Sequence, residues 1–281
     1  MDSHNENFAV HANAIGNSSA VARCASIDTI ADAIRSGAIY PVFQSQVCAA
    51  TGIITGAEAL ARWRHHSAIS IQPADFIARI EGDPLERSLV AALIAAIARL
   101  ARVHLGYTGS FSLNLSQWLL AQPGIDEWFA AQLCHHDLPA QRLVLEVTER
   151  HAVSDADIAN VRRHMRALRQ HGLTLSLDDF GVGTATPLSL ERYDYAEVKI
   201  DRHFLQRARR NGKSQGILAG MVALAHDAGA RVVIEGVETP GDAFLAHALG
   251  AETLQGYRFG KPGLFRDIAA RASGMQAVAV G

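Results

Sequence analysis

The chain has 281 residues, of which 49% are hydrophobic, and its formal net charge at pH 7 is -2. This length suits one large domain or two small ones and is common for a single α/β barrel. Because there is no basic excess, the composition argues against duplex nucleic acid or an anionic membrane as a partner. An anionic substrate would need positive charge from bound metals or from a few local Arg and Lys residues.

The N-terminal residues are polar and acidic, so we expect no signal peptide. The three cysteines lie far apart without CxxC spacing, which is typical of reduced thiols in a cytoplasmic protein. The longest apolar run, residues 89–98, is too short to span a bilayer and predicts a buried helix face. We expect a flexible lead-in at residues 1–26, a folded domain at 27–270 and a C-terminal tail at 271–281.

Strand-like and helix-like segments alternate along the chain after a short amphipathic helix at residues 27–35. We predict eight strands, at residues 40–47, 53–63, 111–116, 143–149, 174–180, 196–201, 231–238 and 252–259. The main predicted helices between them cover residues 85–104, 155–171, 201–228 and 242–249.

This repeated strand–helix pattern predicts an α/β fold with parallel pairing, and eight strands favour a closed TIM-like (β/α)8 barrel. The first two strands are joined only by residues 49–52, which is too short for a parallel crossover. We therefore expect an antiparallel first strand. A doubly wound open sheet is the alternative fold.

Polar residues recur at the ends of these strands, where an α/β barrel carries its chemistry. They are Glu58, Asn114, Glu146, Glu149, Asp178, Asp179, Lys199, Glu235 and Gln255. At any one strand such a residue is most often a helix cap or a loop residue. That explanation would have to hold independently at seven strands, always at the same end of the barrel.

Five acids would meet at this end, opposed clearly by one lysine, which leaves four negative charges. Like charges in a confined site cannot all stay ionised without compensation, and two divalent cations would supply it. Oxygen and amide ligands suit Mg²⁺ or Mn²⁺, whereas the lack of His and Cys in these segments disfavours zinc. Paired metals are a common solution for phosphodiester hydrolysis.

Together these segments resemble the EAL family of cyclic di-GMP phosphodiesterases. Its motifs occur in order as EAL at 58–60, NLS at 114–116, EVTE at 146–149, DDFG at 178–181, KID at 199–201, EGVET at 235–239 and QGY at 255–257. The resemblance runs from about residue 27 to 270. It implies a metal-dependent enzyme that opens one phosphodiester of cyclic di-GMP by in-line attack of water, giving linear pGpG.

The resemblance also implies a role for each matching residue. The implied metal ligands are Glu58, Asn114, Glu146, Asp178, Asp179 and Glu235, with Asp178 shared by both ions. The implied catalytic set, which orients or activates water, is Lys199, Glu235, Glu58 and Gln255. The implied substrate contacts are Gln44, Leu60, Arg62, Asp201 and Gln255. The implied control of the loop after DDFG rests on Glu149, Gly183 and Thr186.

Adjacent strand residues face opposite sides, so Asp178 and Asp179 can share a site only where the strand frays into its loop. Gly181 and Gly183 follow and supply the backbone freedom.

Two segments depart from the family pattern. Where the family typically has Gly-Tyr-Ser-Ser-Leu, this chain has GTATP at 183–187. Where the family typically has Gln-Pro-Ile-Val, this chain has QSQV at 44–47. Both changes leave the proposed ligands intact but bear on turnover and its control. A catalytically weak or inactive cyclic di-GMP sensor, or a protein-interaction regulator, is therefore the alternative function. By analogy with the family we expect a homodimer formed beside the DDFG loop.

Overall fold

The computed structural model describes residues 26–64, 70–71, 73–149 and 154–279. Apart from Ser26, the predicted lead-in at residues 1–26 lies outside the described residues. Ser26 caps the first helix, because its hydroxyl accepts a hydrogen bond from the Thr29 N–H at 3.2 Å.

Helices and strands alternate along the chain, as predicted. The strands are β1 (Ile39–Cys48), β2 (Ile54–Arg64), β3 (Ser70–Ile71), β4 (Ser110–Ser116), β5 (Leu143–Thr148), β6 (Thr174–Phe180), β7 (Glu197–Ile200), β8 (Arg231–Ile234) and β9 (Thr253–Gln255). The α-helices are α1 (Ile27–Arg35), α2 (Pro73–Ile80), α3 (Leu85–Val103), α4 (Gln117–Ala121), α5 (Ile125–His136), α6 (Asp155–Gln170), α7 (Pro187–Arg192), α8 (Arg202–Ala208), α9 (Gly212–Asp227), α10 (Pro240–Ala248) and α11 (Phe265–Ala279). Short 3-10 helices cover Ala140–Arg142 and Tyr257–Phe259.

Eight strands close into a barrel, which confirms the predicted TIM-like fold. Their order around the ring is β1, β9, β8, β7, β6, β5, β4, β2, and β2 pairs again with β1. The first strand is antiparallel to both of its neighbours, and the short link had predicted the antiparallel pairing with β2. The other strands of the ring pair in parallel, so their carboxyl ends open at one mouth. The two-residue β3, which was not predicted, pairs with the end of β2.

A main apolar core lies between the strands and the outer helices, and a smaller one lies under α1 and α2. The predicted apolar run at residues 89–98 forms part of α3, and Val90, Ile94 and Ile97 on it are buried. The rings of Trp63 and Phe76 pack edge to face in the smaller core, with centroids 5.7 Å apart. No helix among the described residues is both long enough and apolar enough to cross a membrane.

Three predicted segments are shorter than the apolar pattern indicated. The helix predicted at 201–228 is divided into α8 and α9, because Asn211 caps a new helix start by accepting from the Ser214 N–H at 2.8 Å. The strand predicted at 231–238 ends at Ile234, since Gly236 adopts a φ of 71°. The strand predicted at 252–259 ends at Gln255 and turns into a 3-10 helix.

Candidate functional site

Lys199 lies at the centre of a cluster of acids at the barrel mouth and is 1% exposed. Its Nζ lies 2.7 Å from Glu146 Oε2 and 3.0 Å from Asp178 Oδ1. The same nitrogen lies 2.8 Å from Glu235 Oε1 and 3.7 Å from Glu58 Oε2. Since these acids come from four different strands or strand ends, the closed barrel is what brings them together.

The cluster shifts the pKa of its members in opposite directions. Burial and the adjacent Glu58 carboxylate raise the pKa of Glu146 well above its usual value. Burial likewise raises the pKa of Glu235 to about 7, against the attraction of Lys199. Although burial opposes its charge, the pKa of Lys199 is raised well above its usual value by Asp178 and the other acids. One ammonium therefore cannot compensate the cluster, and protons or added cations must supply the remaining positive charge.

Side-chain amides hold the Glu58 carboxylate from two sides. Asn114 Nδ2 donates to Glu58 Oε1 at 2.9 Å, and Gln255 Nε2 donates to Glu58 Oε2 at 2.5 Å. These hydrogen bonds and Lys199 hold the pKa of Glu58 below its usual value, although burial acts to raise it. Gln255 Nε2 also lies 3.3 Å from Gln44 Oε1, which joins the first strand to the site.

The donor set fits divalent cations with oxygen ligands. Among the described residues, the buried Asn114 Oδ1 accepts no hydrogen bond, and a buried acceptor without a partner is costly. Coordination to a cation would satisfy it. A second group consists of Asp179, Asp201 and Glu235, which each offer an oxygen within 4.8 Å of the others. Asp201, which the resemblance assigned to the substrate, thus joins the acids as a possible metal ligand.

Asp178 and Asp179 line the same cavity although they are neighbours on β6. The pairing of β6 with β7 shifts register between Leu177 and Phe180, and Asp179 has a φ of 52°. A β-bulge of this kind turns a side chain that regular pleating would point to the opposite face. The left-handed conformation of a non-glycine residue costs on the order of 1 kcal/mol, which such functional positions commonly tolerate.

A cavity of about 490 Å³ opens above the acids. Of the residues expected to contact substrate, four line it: Gln44, Leu60, Asp201 and Gln255. The fifth, Arg62, lies on β2 and donates to the carbonyl of Ala61 at 2.8 Å. Arg62 is not among the residues that line the cavity in the described part of the chain.

Gln46 lies among the site residues, although in the sequence it stands out only as a departure from the family pattern. It is 5% exposed, and its Nε2 donates to Gln255 Oε1 at 3.0 Å and lies 3.5 Å from Glu146 Oε1. Strand alternation places Gln44 and Gln46 on one face of β1, which is the signal that could have identified it. Gln46 thereby fixes the amide orientation of Gln255.

Replacing Gln46 by leucine should destabilise the protein by about 1–3 kcal/mol, because Gln255 Oε1 would lose its donor inside the barrel. Urea denaturation measures the change in the free energy of unfolding. The exposed Gln170 changed to leucine is the matched control and should be nearly neutral. Equal effects of the two substitutions would contradict the role given to Gln46.

Glu149 connects three segments of the chain beside the loop that follows β6. Its carboxylate accepts from Gln117 Nε2 at 3.2 Å, from Ser189 Oγ at 2.5 Å and from the Tyr195 hydroxyl at 3.0 Å. Burial raises the pKa of Glu149, while these donors oppose the rise. Ser189, on α7, also accepts from the Thr186 N–H at 3.2 Å. Ser189 therefore links Glu149 to the loop although the typical serines of the motif are absent.

Two further residues of this loop were expected to control it. Gly183 has a φ of 58°, and Thr186 precedes α7 as its N-cap residue. The loop also closes on itself, since the Gly181 N–H donates to the Ala185 carbonyl at 2.8 Å. The loop is thus a hydrogen-bonded turn in spite of its changed sequence.

Changing Ser189 to alanine should release this loop and lower turnover by roughly tenfold through misplacement of the adjoining acids. A steady-state assay with saturating metal measures the change in turnover. Changing Ser214, a half-buried serine on α9, to alanine provides the control. Unchanged turnover in the Ser189 variant would show that Glu149 holds the loop without it.

Residues 27–262 match the EAL domain family. The chain is 33% identical over 223 residues to the bifunctional diguanylate cyclase/cyclic di-GMP phosphodiesterase MucR of Pseudomonas aeruginosa, a match that covers 78% of this chain and 32% of MucR. It is 30% identical over 245 residues to the cyclic di-GMP phosphodiesterase RocR of the same organism, covering 85% of this chain and 62% of RocR.

Solved structures give the same result. The PaMucR phosphodiesterase in complex with cyclic di-GMP aligns with a TM-score of 0.76 and 30% identity, covering 86% of this chain and 98% of that chain. A manganese and cyclic di-GMP complex of Klebsiella pneumoniae BlrP1 aligns with a TM-score of 0.69 and 26% identity, covering 80% of this chain and 56% of that chain. The chain spans 32% of the length of MucR and 62% of that of RocR. By its sequence and its fold, this chain belongs to the EAL domain family.

Proposed function

We propose that this chain hydrolyses cyclic di-GMP to linear pGpG with the help of two divalent cations, Mg²⁺ or Mn²⁺. The observation that carries the proposal is the convergence of acids on Lys199, beside the unsatisfied Asn114 Oδ1. Family membership supports the substrate, since MucR and RocR are named as enzymes of cyclic di-GMP. The BlrP1 complex, which contains manganese, supports the use of a divalent metal.

The residues that would hold the cations form two groups sharing Asp178. The first group is Glu58, Asn114, Glu146 and Asp178, and the second is Asp178, Asp179, Asp201 and Glu235. Bound there, the cations would neutralise the acids, polarise the phosphate and make water more acidic.

The reaction needs a proton acceptor, a positive charge and a fixed substrate. We assign proton acceptance from the attacking water to Glu235, whose carboxylate lies at the barrel mouth 2.8 Å from Lys199 Nζ. Lys199 stabilises the negative charge that develops on the phosphoryl oxygens. The water oxygen forms a bond to phosphorus as the bond from phosphorus to the 3′ oxygen breaks. The 3′ oxygen takes up a proton from solvent, and Glu235 then releases to solvent the proton that it accepted. Gln255 orients the water, and Gln44 and Leu60, which line the cavity, hold the substrate.

We further propose that the protein works in the cytoplasm as a homodimer. Val182 and Leu188, on the loop after β6 and the helix that follows, are 44% and 55% exposed. Two exposed apolar side chains on this segment are consistent with a contact surface beside the DDFG loop. Sedimentation analysis tests it: a monomer at all concentrations would contradict the dimer.

Product analysis tests the enzymatic proposal. Purified protein incubated with cyclic di-GMP and Mn²⁺ should release pGpG, and Glu58→Ala should abolish the release, because one carboxylate ligand and two amide contacts are lost together. The absence of pGpG above the Glu58→Ala background would overturn the proposal.

The altered loop at residues 183–187 favours one other function, a nucleotide sensor that binds without turnover. Calorimetry separates the two functions, since a sensor binds cyclic di-GMP tightly in the presence of metal while no pGpG is formed. The contacts of Ser189 with Glu149 weigh against the sensor, because they keep the loop connected to the site.

A further inference from the structure

We propose that Arg209 is a positioning residue for Glu235, acting through Asp242 and the backbone of the loop after β8. This inference rests on the proposed function for the role of Glu235, but its geometric part does not. Neither Arg209 nor Asp242 belongs to any of the motifs that carry the family resemblance.

The loop at residues 235–239 must turn sharply to aim Glu235 at the site. Glu235 follows the last residue of β8, and its N–H donates to the Ile200 carbonyl of β7 at 3.1 Å. Gly236 then adopts a φ of 71° and lies so close to Arg202 that a Cβ there would overlap the Arg202 side chain. Any displacement of this turn would move the Glu235 carboxylate, which is 2.8 Å from Lys199 Nζ.

Asp242 holds the far side of the loop. Its Oδ2 accepts from the N–H groups of Glu238 at 2.9 Å and Thr239 at 2.7 Å, and the residue is only 2% exposed. These backbone donors, together with Arg209, keep the pKa of the Asp242 carboxyl below its usual value although burial acts to raise it. A buried carboxylate in this position needs a cationic partner.

Arg209 supplies that partner and also contacts the loop. Its Nε and Nη2 donate to the two Asp242 oxygens at 2.6 and 2.7 Å, a bidentate arrangement with fixed geometry. The same Nη2 lies 3.2 Å from the carbonyl oxygen of Gly236, the residue next to Glu235. A further contact, from Nη1 to Glu238 Oε2, measures 3.3 Å. One guanidinium therefore touches the loop near its beginning and near its end.

Arg209 lies at the C-terminal end of α8, so its contacts with the loop also affect how the acids are spaced. The helix begins immediately after Asp201, whose carboxylate accepts from the His203 N–H at 2.9 Å, and Arg209 is its C-cap residue. Asp201 and Glu235 belong to the group of oxygens that lie within 4.8 Å of one another. Thus α8 fixes Asp201 at one end and the Glu235 loop at the other, which sets their separation.

Arg231 offers a matched control on β8, the strand that precedes the loop at residues 235–239. It is the first residue of β8 and pairs with the buried Glu197 at 2.7 Å, at the end of the barrel opposite the mouth. Replacing either arginine by glutamine leaves a buried carboxylate without its cation. Only Arg209→Gln removes a contact to the Glu235 loop.

The experiment compares Arg209→Gln, Arg209→Lys and Arg231→Gln in the full chain. Amide hydrogen exchange of Val237, Glu238 and Thr239 should accelerate by about tenfold or more in Arg209→Gln and stay unchanged in Arg231→Gln. With Mn²⁺ and cyclic di-GMP, kcat should fall roughly tenfold in Arg209→Gln while KM changes less than about twofold. Calorimetry should show weaker Mn²⁺ binding, and Arg209→Lys should be intermediate in all three measurements.

Unchanged exchange of the loop amides in Arg209→Gln would overturn the inference. Equal losses of kcat in Arg209→Gln and Arg231→Gln would also overturn it, provided that the two variants have the same melting temperature. If the unchanged protein forms no pGpG, the proposed function fails. The exchange rates and the Mn²⁺ affinity still decide the role of Arg209 in that case.

Discussion

Replacing Lys199 by methionine is expected to lower turnover by roughly 10³-fold, the scale on which a preorganised positive charge stabilises a transition state. The same change should destabilise the metal-free protein by about 3–5 kcal/mol at neutral pH, because it leaves buried acids without their cation. The geometric reason is that Lys199 Nζ lies within 3.0 Å of Glu146, Asp178 and Glu235. Methionine fills the same space without the charge.

Turnover is measured by pGpG release, and stability by urea denaturation without metal. Lys213→Met is the control, since Lys213 is exposed on α9 and should tolerate the change. If the two variants lose activity equally, or if Lys199→Met keeps more than about a tenth of the turnover, the electrostatic role is wrong.

Divalent cations are expected to raise the melting temperature, and to raise it more at about pH 8 than at about pH 6. Without metal, burial raises the pKa of Glu146 well above its usual value and raises the pKa of Glu235 from 4.5 to about 7. The folded state therefore keeps protons that the unfolded chain has released. Raising the pH through that window therefore destabilises the metal-free protein. Below the usual pKa both states are protonated, and this penalty disappears.

Bound cations remove the penalty because they replace the protons. At about 100 times the dissociation constant, a cation that binds only the folded state adds about 2.7 kcal/mol to its stability. Calorimetric melts with and without Mn²⁺ across this pH range measure both effects. Glu146→Gln removes one of the two acids around Lys199 whose pKa is raised, so the stability of the metal-free variant should depend less on pH. A metal effect that weakens as the pH rises would contradict the assignment of the acids as ligands.

Local sequence patterns were sufficient for the architecture. Short apolar strands separated by helical segments predicted the closed barrel, and the link at residues 49–52 predicted the antiparallel first strand. The acids could also be identified, because the ends of parallel strands must meet at one mouth. Errors in the strand ends arose at Gly236, where the backbone turns, and after Gly256, where a 3-10 helix begins at Tyr257. Apolar residues continue in both places.

The contacts around the acids could not be predicted from these patterns. Gln46 reaches Glu146 across 100 residues of sequence, and Ser189 reaches Glu149 across 40. Arg209 meets Asp242 from a different helix, 33 residues away. Each is a polar residue whose local sequence looks like an ordinary strand, turn or helix end, so no periodicity distinguishes it.

For the cluster of acids around Lys199, the sequence predicted most of the acids and amides and the lysine itself, because each belongs to a motif at a strand end, but it did not predict Gln46. Only the tertiary structure decided how they are grouped. It set Lys199 among four carboxylates, left Asn114 Oδ1 without a donor, and turned Asp179 toward Asp201 and Glu235. The physical reason is that distances between strand ends depend on barrel closure and on the β6 bulge, which are properties of the whole chain rather than of any segment.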